Sequence, residues 1–339
     1  MSQIPRLLTA DRGDAGRRLD LMLRRHLTGV RAATRTRVQR WIEDGHITVN
    51  GRTIRRAAAR AALGDVVAVT LPAGIEDATG PAEMAAENVT VDVLYEDHAL
   101  LVVNKPAGVV VHPSYRNTTG TTMNFLLWHA RGWPPGQRPS LVGRLDKGTS
   151  GVLLVARTAA VHAALQRAMA SSDGGKEYLA VVYGRVNVAR GEIDLRLEHD
   201  RLDRRRMIAS ATRGAPSLTR FERLARVAAP RAGLSLVRCR IVTGRTHQIR
   251  AHLSARGWPL VGDTKYGEPR WSKIAERALA AALRAFSRPA LHASRLVFTH
   301  PVTRDRVVVE APLPRDFENL LAATGLSRLF TRLHGAPPD

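Results

Sequence analysis

Apolar positions in the first part of the chain change period twice. Leu19, Met22, Leu23 and Leu27 recur every three to four positions, which predicts a helix. Val38, Trp41 and Ile42 predict a second helix, capped by Thr34 or Thr36 and ended by Gly45. Ile47 and Val49 then alternate, Asn50-Gly51 marks a hairpin turn, and Gly64-Asp65 leads into a run from Val66 to Leu71. These signals predict a small helix-pair-plus-hairpin module over residues 15–71. Both periods vanish over residues 72–88, PAGIEDATGPAEMAAEN, which reads as a linker of proline, glycine, alanine and acid.

Beyond it, strands are predicted at Val91 to Tyr95, Leu100 to Val103, Val109 to Val111, Val152 to Val155, Leu179 to Tyr183, Ser235 to Ile241 and Val307 to Val309. Helices are fewer: Thr121 to His129, Ala159 to Ala170, Thr246 to Ala255 and Asp316 to Thr324. Successive strands broken by few helices predict an α+β fold. Its mixed, largely antiparallel sheet would span residues 89–315, preceded by the small α/β module and followed by a C-terminal helix and tail over 316–339.

Composition alters this picture mainly through charge. The 339 residues are 44% hydrophobic and 24% charged, an ordinary folded balance in a chain too long for one core. Lysine and arginine number 52 against 30 acids, a net charge of +22 that favours a polyanionic partner, nucleic acid first. Only 5 of those cations are lysine, so biased codon usage is the competing explanation. The distribution argues against it, because residues 1–70 hold 14 arginines and 6 acids whereas residues 71–88 hold 4 acids and no base. Arg31, Arg35, Arg37 and Arg40 cluster where the second helix begins, either as a solvated face or as a patch for phosphates. A lone cysteine, Cys239, rules out a disulfide framework or a zinc knuckle. With no apolar run near ~20 residues and no secretory stretch at the start, a cytoplasmic protein with no membrane partner is expected.

The usual routes to chemistry are poorly represented. There is no GxxxxGK[ST] loop or GxGxxG turn, and Gly174-Gly175-Lys176 continues to Glu177, so no nucleotide cofactor is expected. Ser150 lacks the second glycine of a nucleophile elbow. His247 and His252 lie five apart, off one helical face, and no HExxH occurs, so no metal is expected. What remains is four polar runs. Residues 141–155 place Asp146 in a turn between two hydrophobic runs, and taken alone such an acid is explained by turn capping. Residues 243–253 crowd arginine, histidine and glutamine where a strand gives way to a helix. Gly175 to Ala180 brings Tyr178 to the start of a strand, and Asn104 to Gly108, continuing through His112 to Ser114, forms a Lys-Pro corner.

The segments RRLDLMLRRHL, TRTRVQRWIEDGHITVNGRTI and LGDVVAV resemble the αL-type RNA-binding module of a small-subunit ribosomal protein and of several RNA-modifying enzymes. That resemblance implies docking on RNA by shape and backbone, through Arg35, Arg37 and Arg40. The four polar runs, in their order and spacing, resemble the RluA family of pseudouridine synthases over about residues 89–312. The family's Arg-Leu-Asp-x-x-Thr-Ser-Gly falls on Arg144 to Gly151, its Lys-x-Tyr on Lys176 to Tyr178, and its Gly-Arg-Thr-His-Gln-Ile-Arg-x-His on Gly244 to His252. Gly143 departs from the histidine many relatives carry there, and Lys147-Gly148 fills a variable pair that often contains an acid.

The resemblance implies a pseudouridine synthase fold with a central cleft, and isomerisation of uridine in structured RNA. Large-subunit ribosomal RNA is the first expectation and transfer RNA the second; a non-catalytic RNA-binding or ribosome-assembly factor is the rival. It makes Asp146 the nucleophile, at the uracil ring or at ribose C1′. A carboxylate attacks only when ionised and burial disfavours that form, so an opposite charge is needed, for which Arg250 is the candidate in bidentate geometry. Tyr178 would stack on the extruded uracil and assist proton removal. Arg144 would fill the vacated stack or hold phosphates. Lys105 and Arg245 are expected RNA contacts, Lys105 alternatively a structural one, and His247 and Gln248, grouped with the RNA-binding residues, are expected chiefly to support the side chains that touch substrate. Bonds break and form within one nucleotide, so no cofactor is required, and a monomer is expected.

Overall fold

The structure, a computed structural model, describes residues 5–11, 14–27, 30, 32–72, 84–113, 118–171, 174–228, 230–231, 233–268 and 270–327. Most of the expected linker, the tail from residue 328, Arg31 and Ser114 lie outside the described residues. The chain divides into two units, Met1–Met84 and Ala85–Asp339.

The first unit contains β1 (Arg6–Thr9), α1 (Leu19–His26), α2 (Arg35–Glu43), β2 (Ile47–Val49), β3 (Arg52–Thr53) and β4 (Val66–Val69), with sheet order β1-β4-β2-β3. Thr34 caps α2, its hydroxyl accepting from the Arg37 amide at 3.4 Å. Leu19, Met22 and Leu23 of α1 meet Val38, Trp41 and Ile42 of α2 over Ile47, Val67 and Val69 of the sheet. Asp20, wholly buried on α1, accepts from Gln39 of α2 at 2.7 Å and from Arg18 at 3.0 Å, which locks the helix pair. One strand, β1, lies before the expected start at residue 15. β1 pairs antiparallel with β4, and its apolar signal is weak because Leu7 is exposed.

The second unit is built on β5 (Asp92–Glu96), β6 (Leu100–Lys105), α3 (Thr122–His129), β7 (Ser140–Val142), β8 (Ser150–Ala156), α4 (Ala159–Ala170), β9 (Gly175–Tyr183) and β10 (Arg190–Asp194). It continues through β11 (Arg196–His199), β12 (Met207–Ser210), β13 (Leu218–Val227), β14 (Leu234–Ile241), α5 (Gln248–Ala255), α6 (Arg277–Ala285), β15 (Leu291–Thr299), β16 (Arg306–Glu310) and α7 (Arg315–Ala323). The main sheet runs β10-β13-β14-β9-β15-β8-β6-β5, with β16 beside β15 and β7 beside β8, and β11-β12 form a separate ribbon. Among the described strands only β8 and β15 pair in parallel, so the sheet is mixed and largely antiparallel, an α+β fold as expected.

β9 shows how the layers form. Tyr178, Ala180 and Val182 face one core, shared with Leu101, Val103 and Leu153, whereas Leu179, Val181 and Tyr183 face a second core with Phe286, Phe317 and Leu320. Both faces of the strand are buried, which accounts for its near-continuous apolar run. Phe317 and Leu320 belong to α7, so the C-terminal helix is part of this unit's core and not an appendage starting at 316. The predicted strand at Val109 to Val111 is absent. The carbonyls of Val110 and Val111 instead accept from the amides of Thr122 and Met123 at the start of α3, which leaves no strand ladder. No helix among the described residues is long and apolar enough to cross a membrane.

Candidate active site

β7 and β8 form an antiparallel hairpin, and residues 143–149 of its loop carry Asp146. The loop is fixed through its main chain. The Lys147 carbonyl accepts from the Gly108 amide at 2.8 Å, the Asp146 carbonyl from the Thr149 amide at 3.1 Å, and the Gly148 carbonyl from Arg288 at 3.3 Å. Lys105 lies behind it, fully buried, donating to the carbonyls of Pro106 (2.7 Å), Val109 (2.8 Å) and Lys147 (3.4 Å). Burial, aided by Arg288 and opposed by Asp146, pushes the Lys105 ammonium down to about 7. An RNA contact for Lys105 is therefore corrected to a brace under the loop. Gly151 closes the arrangement at φ +111°, where an added Cβ would stand 2.1 Å from the Ala293 carbonyl oxygen, so only glycine permits β8 to pair with β15.

The Asp146 side chain, 19% exposed, faces Arg250 on the buried side of α5, and Arg250 Nη1 donates to Asp146 Oδ2 at 3.0 Å. The bidentate fork expected there lies elsewhere. Arg250 Nε and Nη2 donate to Asp263 Oδ2 and Oδ1 at 2.7 and 2.9 Å, leaving one nitrogen for Asp146. Burial works against the guanidinium charge, but Asp263 and then Asp146 outweigh it, so the net shift is further upward. Asp263 was not singled out in the sequence. It follows the apolar stretch Pro259 to Val261 by one glycine, a weak signal, since turn acids are common.

His247 enters α5 from a left-handed residue, φ 53°, with Nε2 3.8 Å from Asp146 Oδ2 and Nδ1 3.1 Å from the Tyr266 hydroxyl. Burial pushes its imidazole down to about 4, against the pull of Asp146. Tyr266, also unforeseen, accepts from the Met207 amide at 2.8 Å and sets its ring 5.1 Å from the Arg250 guanidinium carbon. Gln248 is spent internally: its carbonyl accepts from Thr243 (2.8 Å) and the Arg245 amide (3.1 Å), and its amide donates to Leu218 and Thr219. Gln248 thus fastens the turn before α5, a supporting place of the kind expected for it.

Asp146, Tyr178, Arg250 and His247 share the wall of one cavity of about 610 Å³ with Arg144, Arg245 and Lys176. Tyr178 is 5% exposed, and its hydroxyl makes no hydrogen bond among the described residues. Burial, and secondarily the Asp146 charge, keep that phenol protonated well above its usual range. Its ring lies on the cavity wall, where the expected stacking place is. Arg144 and Arg245 are exposed at the cavity. Arg35, Arg37 and Arg40 are exposed on α2 of the first unit, Arg35 lying 3.8 Å from Asp20. Among the described residues the one group with metal-ligand spacing is Asp11, Asp14 and His26, and Arg25 already donates to both acids at 2.7 and 2.8 Å.

Comparison with known proteins agrees with this geometry. The RNA pseudouridylate synthase family matches residues 99–255, and the S4 domain matches residues 17–67. An uncharacterised RNA pseudouridine synthase of Bacillus subtilis is 39% identical over 291 residues, covering 85% of this chain and 88% of that protein. Ribosomal large subunit pseudouridine synthase D of Vibrio vulnificus is 35% identical over 307 residues, covering 90% of each. Among solved structures, human RNA pseudouridylate synthase domain containing 1 superposes with a TM-score of 0.53 at 28% identity, covering 75% of this chain and 98% of that one.

Proposed function

The chain belongs to the RNA pseudouridylate synthase family and converts uridine to pseudouridine in RNA, and on that premise we propose that it acts on structured large-subunit ribosomal RNA with Asp146 as nucleophile. The observation that carries this reading is a carboxylate at a cavity wall, faced by a guanidinium that a second, buried carboxylate holds in place. Removing that guanidinium's freedom before substrate arrives lets it serve the attack without reorganisation. Tyr178 supplies a ring on which the extruded uracil stacks, and Arg144 and Arg245 take phosphates or the vacated place in the stack.

The ribosomal target rests on the Vibrio vulnificus relative, whose name specifies the large subunit, and on a net charge of +22 suited to a polyanion. Apart from a transient bond to Asp146, the bonds exchanged lie within one nucleotide with no net oxidation or group donor, so on this reading the protein works without a cofactor, as a monomer in the cytoplasm.

Tritium release from 5-tritiated uridine RNA tests the reading. Wild type is expected to release tritium from ribosomal RNA, and Asp146→Ala to release none. Release from transfer RNA alone would move the target, and an inert wild type would make the protein a binding factor. Mapping pseudouridines in a strain lacking the gene then identifies the nucleotide.

A further inference from the structure

One charged group on the cavity wall has no part in the scheme so far. Lys176 precedes Tyr178 by two residues on β9, so both side chains project from the same face of the strand, about 7 Å apart. It is 5% exposed, and among the described residues it makes no hydrogen bond or ion pair. An ammonium taken from water without a partner is costly, and burial pushes this one down to about 8. Lys176, Tyr178 and Asp146 all line the one cavity, Lys176 and Tyr178 from β9 and Asp146 from the loop between β7 and β8. Space is left beside it by Gly143, where even a Cβ would approach Nζ only to 4.0 Å. Position 143 is one of the departures from the family pattern, and its φ of +90° suits glycine.

A uridine seated between Asp146 and Tyr178 lies in this same cavity, on whose wall Lys176 is a buried cation without a protein partner among the described residues. Resting on the reading of Asp146 as nucleophile, we propose that the Lys176 ammonium binds the C4 carbonyl oxygen of the target uracil and stabilises the negative charge that collects there. Both points of attack deliver that charge. In attack at C1′, the Asp146 oxygen bonds to C1′ while the C1′–N1 pair stays with the base, an anion delocalised over N1, O2 and O4. In attack at C6, the carboxylate oxygen bonds to C6 and the C5=C6 pair moves through C4 onto O4. In each case the charge leaves Asp146, where Arg250 stands, and appears near Lys176.

The turn of the base suits a compact, rotatable donor. Rotation about the N3–C6 axis exchanges O4 with O2, so the ammonium faces a carbonyl before and after. Cytosine offers an amino group at C4, a donor against a donor, so the same contact selects uracil.

The test uses the full chain on the RNA from which wild type releases tritium. Lys176→Met is expected to lower kcat about 100-fold while RNA Kd stays within about threefold. Lys176→Arg, which keeps the cation, is expected to stay within about tenfold of wild type. In competition binding, wild type should prefer the target uridine over a cytidine substitution by about tenfold or more, and Lys176→Met should lose that preference. A raised Kd with unchanged kcat in Lys176→Met would mark a backbone phosphate contact and overturn the proposal. So would a Lys176→Arg protein that binds RNA normally yet is as slow as Lys176→Met. Either result with an active wild type and a dead Asp146→Ala leaves the nucleophile standing, whereas an inert wild type removes both.

Discussion

Arg250 is asked to satisfy two carboxylates with one planar group, and the residue scale shows what that demands. Arg250→Lys keeps the charge but offers a point donor in place of a fork, so tritium release should fall by about 100-fold or more. Removing Asp263 strands a buried guanidinium. Asp263→Ala is expected to cost about 3–5 kcal/mol, read as a shift of the denaturant midpoint, and a change within experimental error would show that the fork contributes nothing. His247 is placed to answer a different question. Burial keeps its ring neutral down to about 4, so its imidazole resonances should titrate there in NMR and not near 6.5. Asp146, Arg250 and Tyr178, which line one cavity, were singled out through polar runs that resemble family motifs, since taken alone the turn acid reads as a cap. Asp263 and Tyr266 were not, since each joins the site through a partner 13 to 59 residues away that no local spacing reports.

Among the elements, β8 depends on a single backbone conformation. Gly151→Ala would drive a methyl group into the Ala293 carbonyl and break the parallel pairing beside the Asp146 loop. A loss of about 3 kcal/mol or more is expected, together with activity, and wild-type stability in that variant would contradict the geometry. Apolar periodicity correctly located β6, β8, β9 and β14 because those strands bury most of their length. It missed β15, whose run is broken by His292, Ser294 and Arg295, and α6, an alanine-rich helix with few large apolar residues. The false strand at Val109 to Val111 has the converse cause: apolar side chains of strand type, but main-chain partners supplied by a helix start.

Over the whole molecule the charge is divided by task. Arg144 and Arg245 stand exposed at the cavity, where we propose that they meet the reacting nucleotide, while Arg35, Arg37 and Arg40 of the S4 domain stand exposed on a separate unit. Replacing those three with glutamine should weaken RNA binding across sequences, reduce the dependence of log K on log salt by about two units, and leave kcat unchanged. A salt dependence identical to wild type would remove the S4 arginines from the interface.

The loop that bears Asp146 is tied by its own carbonyls to Lys105, Gly108 and Arg288, and so cannot mould itself to an incoming base. Distortion must then fall on the nucleic acid. The targets expected of such a receptor are those where the helix already gapes, at bulges, junctions and loop closures, because there a pyrimidine swings outward at least expense.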